Sequence, residues 1–583
     1  MQSEVVRRSV VIGLTALSVA FGLSPGFGQV VMDLEAHQDF ISALSTPDPG
    51  SATAGPASPT GIGRPPRVGP NVRVNAAQQP SPNGLLGRSE TSIAATDDGI
   101  FLVTGFNDAQ GFCGAPFGAP CTPQTPPGLS GYAFSSDGGL TWTDGGAPPV
   151  INHVFTRGDP WLALGGMDST TFFYANLAVD DRDANVSFGV SVHRGHFSSG
   201  SFSWSDVHTF NALNAPSDFY DKEAIAARLG TPDAFVSLTN FIGLCGQPAF
   251  GFGQIEVWRT HDGGDTWLGP VVVSPDITFI TDPTNKNCGL TGTLQQSSAP
   301  AIGPGGEVYV VWQLGPSFTP ATSTDADIDF ARSLDGGVTF SAPVKVAGIN
   351  SMRQNPPVGY NRDRINDHPR VAVATTGKLK GRVYVVYYSA VAPTTQLPAT
   401  AANCLMAVPP GTRCRPQVLT SSQIFLRFSD DKGATWSSEI PLAPAPPATG
   451  IKRFWPVVSV EPGGTVDVVY YESQEKQATT NPTDVECNVN VGGGIRRQGL
   501  ASSLVDTFWV RSTDGGASFS TPMPVTTATS NWCTAASNIR PNFGDYIGST
   551  SGGNRVLATW ADGRNGVPDT FYSSGLGAGK SGP

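Results

Sequence analysis

The segment Ser135-Ser136-Asp137-Gly138-Gly139-Leu140-Thr141-Trp142 carries a pattern that occurs five times in this 583-residue chain. Each copy has Ser or Thr first, Asp third, Gly fifth and Trp or Phe eighth, and the copies are residues 135–142, 260–267, 333–340, 429–436 and 512–519. Asp can accept hydrogen bonds from the N–H groups of a turn, and Gly can supply a positive φ. The aromatic residue can then pack back under a sheet. The pattern therefore predicts five tight hairpins.

These segments resemble the Asp-boxes of the sialidase-like β-propellers, which are also called BNR repeats. The resemblance covers residues 71–575 and implies an all-β fold of four-stranded blades around a central channel. In such a blade the box joins the third and fourth strands, so all the boxes lie at one end of the channel. Most propellers bind their ligands at the opposite end, which we call the mouth.

The number of blades is predicted from the strand that should begin each blade. A polar or acidic residue followed by an alternating run occurs seven times, at residues 90–94, 159–162, 222–225, 298–302, 367–371, 455–458 and 545–547. Seven blades are therefore favoured, with the six blades of true sialidases as the alternative. Residues 71–75 can pair beside residues 570–572 and close the ring, which would remove an exposed edge. Residues 191–193 with 201–204 are interpreted as a degenerate sixth box, which places His193 in a turn.

The two ends of the chain are interpreted as segments outside the propeller. Residues 1–28 combine Arg7 and Arg8 with a short apolar run and small residues, which is typical of a cleaved signal peptide. Residues 29–70 are rich in Pro, Gly and Ser and are predicted to be a largely disordered linker, and residues 576–583 a flexible tail. We therefore expect a secreted or periplasmic protein without a membrane anchor.

Composition limits the classes of partner. The chain has 36 Lys and Arg against 47 Asp and Glu, a net charge of −11, which argues against a nucleic-acid partner. Its 69 Gly and 49 Pro disfavour long helices. We expect a monomer whose partner is a glycan or glycoconjugate.

The eight cysteines are predicted to form disulfides, because an even number in an exported chain indicates pairing. All of them fall in loops assigned to the mouth. Their positions favour four pairs, Cys113–Cys121, Cys245–Cys288, Cys404–Cys414 and Cys487–Cys533. Such staples would hold a binding surface in shape or protect long loops against unfolding and proteolysis. No CxxC or Cys/His cluster indicates zinc.

The starts of the first strands should bring charged side chains together at the mouth. The candidates for substrate contacts there are Arg88, Glu90, Glu223, His368, Arg370 and Arg453. Carboxyl groups mixed with arginines fit a sugar site, where one acid protonates the leaving oxygen and cations hold an acidic substituent. They also fit a structural ring of salt bridges, or a bound Ca²⁺. No cofactor is required by these residues. The dense polar run 360–368 enters the same mouth as a substrate-contacting loop or a solvated connection.

The resemblance to sialidases implies three arginines around the sialic carboxylate, a tyrosine nucleophile activated by a glutamate, and an aspartate as acid and base. Asp367, Asp545 and Tyr546 are the predicted catalytic residues, and Arg88, Arg370 and Arg453 the predicted arginine clamp. The chain departs from the family because residues 87–93 lack its Arg-Ile-Pro signature. The leading hypothesis is an exported propeller that acts on or binds glycans, with a sialidase-like glycoside hydrolase as its enzymatic form. A non-catalytic propeller that binds protein or polysaccharide is the alternative, and a polysaccharide lyase is the third.

Overall fold

The computed structural model describes most of the chain beyond residue 66. The described residues are 67–78, 86–111, 128–150, 153–180, 189–210, 219–242, 250–281, 290–316, 325–396 without 354 and 363, 418–477 without 449, 487–490, 495–497 and 500–576 without 538. Within these residues no helix has the length and hydropathy that crossing a bilayer requires.

The described strands form seven blades, as the strand starts predicted. From the channel outward, the strands of blade 1 are Arg88–Ala95, Leu102–Asp108, Ser130–Ser135 and Thr143–Gly146. Those of blade 2 are Trp161–Gly165, Thr171–Asp180, Gly189–Ser198 and Ser201–Phe210, with Val154–Thr156 also paired to the second strand. Those of blade 3 are Phe219–Ala227, Ala234–Ile242, Phe250–Thr260 and Leu268–Val272. Those of blade 4 are Leu290–Ile302, Val308–Pro316, Asp325–Ser333 and Val344–Asn350.

The remaining blades follow the same order. Blade 5 consists of Arg370–Val373, Val383–Gln396, Val418–Ser429 and Ile440–Pro441. Blade 6 consists of Ile451–Val460, Val466–Gln477, Leu500–Ser512 and Met523–Pro524, with Ser530–Asn531 also on its third strand. Blade 7 consists of Gly548–Gly552, Arg555–Asp562, Asp569–Leu576 and the N-terminal pieces Val72–Arg73 and Arg67–Val68. Smaller elements are the strand Ile277–Thr281, the hairpin Asn488–Asn490 with Ile495–Arg497, and the 3₁₀ turn Ala109–Gly111.

The blades close into a ring through their first strands. Each first strand contacts the first strands of both neighbouring blades, and that of blade 7 contacts that of blade 1. The N-terminal strand completes blade 7, since Val72 pairs with Tyr572 and Arg73 with Phe571. This confirms the predicted closure. The outer strand begins at Arg67, a few residues before the predicted end of the linker.

The five Asp-boxes are the turns between third and fourth strands of blades 1, 3, 4, 5 and 6. In the first box Asp137 accepts hydrogen bonds from the backbone N–H and the hydroxyl of Thr141, at 2.9 and 2.5 Å. Gly139 has φ +87°, and a Cβ there would lie 2.2 Å from the ring of Tyr572 in the preceding blade. Trp142 packs on that same ring at 5.2 Å. Each box thus stabilises its own turn and one blade interface.

The prediction of a degenerate box in blade 2 is wrong. The turn between its third and fourth strands is Ser199-Gly200, and His193 lies inside the third strand, fully buried beside Trp204. Burial lowers the pKa of His193 to about 4, so the ring is neutral. His193 therefore belongs to the blade core.

Candidate functional site at the channel mouth

In several blades a residue in the first strand, or just before it, lies in the left-handed region of φ. Glu90, Asp159, Lys222 and Ser297 have φ between +50° and +66°. In blades 1, 3 and 4 the register of the first strand shifts around that residue, which is the mark of a β-bulge. Such a conformation costs about 1–3 kcal/mol in a residue other than glycine. Its recurrence indicates that the surrounding contacts fix these side chains at the mouth.

A single lysine lies among three of the predicted carboxylates. The Nζ atom of Lys222 is 2.8 Å from Asp159 Oδ2, 3.2 Å from Asp545 Oδ2 and 3.3 Å from Glu90 Oε1. All four side chains are buried. Burial lowers the pKa of Lys222 to about 7, against the opposing effect of Asp545. In this ring the ammonium supplies the positive charge that a bound Ca²⁺ would supply.

Asp545 is the most strongly paired acid of the site. Arg362 Nη1 is 2.8 Å from its Oδ2, and the Tyr360 hydroxyl donates a hydrogen bond to its Oδ1 at 2.9 Å. Burial alone would raise the pKa of Asp545, but Arg362 and Lys222 outweigh burial and hold the pKa well below its usual range. Asp545 is therefore ionised.

Glu223 has the opposite environment, although it adjoins Lys222 in sequence. Its side chain is 2% exposed, and neither carboxyl oxygen has a hydrogen-bond partner in another described residue. Burial, with the nearby charge of Asp159, raises the pKa of Glu223 well above its usual value. The surroundings of Glu223 therefore favour its protonated form, whereas those of Asp545 favour its ionised form.

Glu223 lines a small cavity that the other predicted site residues share. Its volume is about 10 Å³, and its lining includes Trp161, Lys222, Ser297, His368, Arg370 and Tyr546. This is room for about one water molecule. The Nε2 atom of His368 and the Nη2 atom of Arg370 have no hydrogen-bond partner among the described residues. Burial, followed by the charge of Arg370, lowers the pKa of His368 well below its usual value, so the ring is neutral.

Tyr546 lies among aromatic and basic side chains. The Cζ atom of Arg370 is 5.5 Å from the centre of its ring and 4.5 Å from that of Trp161. The Tyr546 hydroxyl donates to the Pro160 carbonyl oxygen at 3.1 Å. Burial, with the nearby Glu90, raises the pKa of Tyr546 well above its usual value. In this arrangement the hydroxyl is a protonated group bound to the backbone.

Three of the sequence-predicted residues do not join this cluster. Arg88 is 3.1 Å from Asp108 Oδ2 and 3.6 Å from Asp144 Oδ2, inside blade 1. Arg453 is 2.7 Å from Glu472 Oε2, inside blade 6. The structure therefore does not bring Arg88, Arg370 and Arg453 into an arginine clamp.

Asp367 is the third of these residues. It accepts hydrogen bonds from the Ser351 hydroxyl, from the Met352 backbone N–H at 3.0 Å and from Gln313 Nε2 at 3.2 Å. Burial raises the pKa of Asp367 to about 6. These contacts give Asp367 a role in holding the chain between blades 4 and 5.

The sequence reasoning missed two members of the site. Trp161 lines the cavity and comes two residues after Asp159, the polar start of the second blade. This place in the sequence could have identified Trp161 as an aromatic residue of the site. Arg362 lies in the polar run 360–368, but Tyr360 and Arg362 are fully buried, so this part of the run is neither solvated nor open to a substrate. Burial of two such polar side chains had no signal in the sequence.

The structure describes one disulfide, in the connections around the mouth. Cys487 and Cys533 are bonded, as predicted, and tie the second-to-third strand connection of blade 6 to the connection into blade 7. The other predicted pairs, Cys113–Cys121, Cys245–Cys288 and Cys404–Cys414, lie outside the described residues.

The blades, the boxes and this mouth define an Asp-box β-propeller of seven blades, similar to the sialidase-like propellers. No protein-family model and no curated protein matches the sequence. Among solved structures, the chain is similar to an alpha-L-arabinanase from Penicillium chrysogenum in complex with arabinobiose (12% identity, TM-score 0.37), covering 70% of this chain and 94% of that one. It is also similar to the sialidase of Trypanosoma rangeli (11% identity, TM-score 0.37), covering 76% of this chain and 58% of that one. Likeness at this level carries no argument about activity, which depends here on the mouth itself.

The raised pKa of Glu223 predicts a dependence of stability on pH. The unfolded carboxyl loses its proton above pH 4.5, whereas the folded carboxyl loses it only at a higher pH, so the wild-type free energy of unfolding falls as the pH rises between these two values. Glu223→Gln removes this titration. The variant should therefore gain stability over the wild type as the pH rises above 4.5, by up to about 1.4 kcal/mol for each pH unit. Urea unfolding at several pH values measures the difference.

Asp262→Asn provides the control for that series. Hydrogen bonds from Thr266 outweigh burial and lower the pKa of Asp262 to about 2, so this Asp-box carboxyl is ionised in both states above pH 5.5. The difference between Asp262→Asn and wild type should stay constant from pH 5.5 to 7.5. A constant difference for Glu223→Gln as well would show that Glu223 is ionised in the folded protein.

Proposed function

We propose that this protein is an exported propeller that acts on glycans at its channel mouth, as a glycoside hydrolase. The observation that supports this most is a pair of buried acids in opposite surroundings: Glu223 has no hydrogen-bond partner among the described residues, which raises its pKa, whereas Arg362 and Lys222 pair with Asp545 and lower its pKa. Environments that drive two acids apart in pKa assign an acid and a base or stabilising anion in many glycosidases. The disulfide Cys487–Cys533 supports export, because disulfides persist in oxidising compartments.

The proposed roles follow from the contacts of each side chain. Glu223 would protonate the leaving glycosidic oxygen, and Asp545 would stabilise the positive charge that develops on the sugar. Tyr546 is the proposed nucleophile: to attack a sugar its hydroxyl must leave the Pro160 carbonyl and pass its proton to a carboxylate, for which Glu90, whose charge acts on this phenol, is the proposed acceptor. Trp161, partly exposed beside Arg370, offers a ring face against which a sugar can pack.

The absence of an arginine clamp bears on the type of glycoside. Arg88 and Arg453 are committed to carboxylates within their own blades, which leaves Arg370 as the member of the predicted clamp at the cavity. The sialidase-like form of the activity is thus less supported than hydrolysis of glycosides in general. A substrate screen is needed to identify which glycosidic linkage the protein cleaves.

A screen of the purified protein against three substrate classes tests the proposal. Aryl glycosides, sialosides and uronate polymers are incubated separately, and the release of aglycone, sialic acid or unsaturated uronate is measured. We expect aglycone release from at least one glycoside. Unsaturated uronate would instead identify a lyase, and no product in any class would contradict the enzymatic proposal.

A non-catalytic binding propeller is the second candidate, and the closed mouth favours it. Every charged side chain of the mouth is buried, and the cavity beside Glu223 has room for about one water molecule. A protein or polysaccharide would then bind the surface around the mouth. In that case binding should persist in Glu223→Gln, whereas a hydrolase should lose its turnover.

A further inference from the structure

The chain between blades 4 and 5 reaches past blade 5 to other parts of the ring. The described residues between Asn350 and Arg370 contain no strand. Within this connection, residues 355–362 form what we call the crossing segment. Its partners include Glu475 of blade 6 and Asn542 and Asp545 of the chain that joins blades 6 and 7, so it passes over the mouth.

Amide groups bind the crossing segment to the connection before blade 7. The Asn361 backbone N–H donates to Asn542 Oδ1 at 3.1 Å, and the Asn542 backbone N–H donates to Asn361 Oδ1 at 2.8 Å. Asn542 Nδ2 also donates to the Gly359 carbonyl oxygen at 2.8 Å, and Asn361 Nδ2 to that of Ile539 at 2.8 Å. On blade 6, the Val358 backbone N–H donates to Glu475 Oε1 at 2.8 Å.

The rings of Trp455, Trp532 and Phe543, which we call the aromatic platform, pack beside the same segment. Trp532 stacks on Phe543 with ring centres 4.0 Å apart and planes 2° apart. Tyr360 of the crossing segment packs against Trp532 at 6.3 Å and against Trp455 at 5.8 Å. A Cβ on Gly359 would lie 2.5 Å from the backbone of Trp532, which shows how closely the segment approaches this platform.

The crossing segment covers the acids of the mouth. Tyr360 and Arg362 both contact Asp545 and are fully buried. A sugar therefore cannot contact Asp545 while the segment is in place.

We propose that the crossing segment is a gate, which must leave the mouth before a glycan can reach Asp545. The proposal rests on the glycan-directed function proposed above. Opening would break at least seven hydrogen bonds and the ion pair of Arg362, but no strand pairing, because the segment belongs to no sheet. Segments of this kind open locally without unfolding the domain.

Asn542→Ala tests the gate, since this one side chain both donates to Gly359 and accepts from Asn361. Two readouts are independent of activity: hydrogen exchange of the amides of residues 355–362, and acetylation of the buried Lys222 by an amine-reactive ester. We expect both rates to rise roughly ten- to hundredfold over wild type, with the fall in the urea midpoint that the same loss of closed-state stability brings. Asn75→Ala is the matched control, because Asn75 is also buried and its amide donates to Asp569 Oδ1 and accepts from the Thr570 backbone N–H, away from the segment.

Two results would overturn the gate. One is an Asn542→Ala protein whose exchange and Lys222 acetylation match those of Asn75→Ala. The other is obtained on the wild type, which needs no variant to fold: acetylation of Lys222 only at the rate of global unfolding would mean that the mouth does not open separately. Faster acetylation in Asn542→Ala without turnover of any glycan would instead support the gate and contradict the proposed hydrolase.

Discussion

Replacing Lys222 with methionine should lower the free energy of unfolding by about 3–5 kcal/mol, because it leaves buried carboxylates without their cation. Methionine keeps much of the length of the side chain and removes the ammonium that lies within 3.3 Å of Glu90, Asp159 and Asp545. Asp545 keeps Arg362 and Glu90 keeps its hydrogen bond from Asn107, whereas Asp159 loses its only ion pair among the described residues. Urea unfolding at pH 6.5, below the pKa of about 7 of Lys222, measures the loss while the ammonium is present.

Lys345→Met is the control for that substitution. The Nζ atom of Lys345 is 2.6 Å from Asp327 Oδ1, but its side chain is 55% exposed, and surface ion pairs contribute about 0–1 kcal/mol. The loss in Lys222→Met should also shrink at pH 5, since the released carboxylates then take up protons. Equal unfolding midpoints for the two variants at pH 6.5 would mean that the mouth ring is not held by charge.

Glu223→Gln should lower glycoside turnover by about 10²–10⁴-fold, because glutamine cannot donate the proton that the leaving oxygen needs. The same exchange should stabilise the fold at neutral pH, as its lost titration predicts. A loss of activity together with a gain in stability separates a catalytic acid from a structural one. The measurement is turnover of whichever aryl glycoside the screen identifies, at pH 5.5 and 7.5.

Tyr546→Phe accompanies that experiment and decides which group attacks the sugar. It removes the hydroxyl that binds the Pro160 carbonyl and keeps the ring between Trp161 and Arg370. A loss as large as that of Glu223→Gln would identify the tyrosine as nucleophile, whereas full turnover would leave that role to water. Full turnover in Glu223→Gln itself would contradict the proposed acid.

The fold could be predicted because its evidence is local and repeated. Each Asp-box forms its turn from its own eight residues, so the sequence pattern corresponds directly to hydrogen bonds such as those between Asp137 and Thr141. The five boxes alone do not give the number of blades. The polar residue at the start of each first strand, which recurs seven times, does. Closure by the N-terminal strand followed, since seven blades left the last one without an outer strand.

The site could be predicted only in part, because its geometry depends on side-chain direction. Glu90, Glu223, His368, Arg370, Asp545 and Tyr546 do converge, as their places at strand starts indicated. Arg88 occupies a similar place but points to Asp108, and the register shift after Ser89 has no signature in the sequence. The path of the crossing segment was equally hidden, since its partners such as Asn542 lie far away along the chain.

The closure of blade 7 has a consequence for how the protein is made. The Asn75 side chain accepts a hydrogen bond from the backbone of Thr570, a residue 495 positions later. The first segment of the propeller to be synthesised therefore pairs among the last. Until the strand near Thr570 is synthesised, the backbone N–H and C=O groups of this segment have no strand to pair with. Pairing over such a separation is slow to form and exposes the chain to aggregation. The ring thus closes only after the whole propeller has been synthesised, and until then its N-terminal strand must be protected from pairing with other chains.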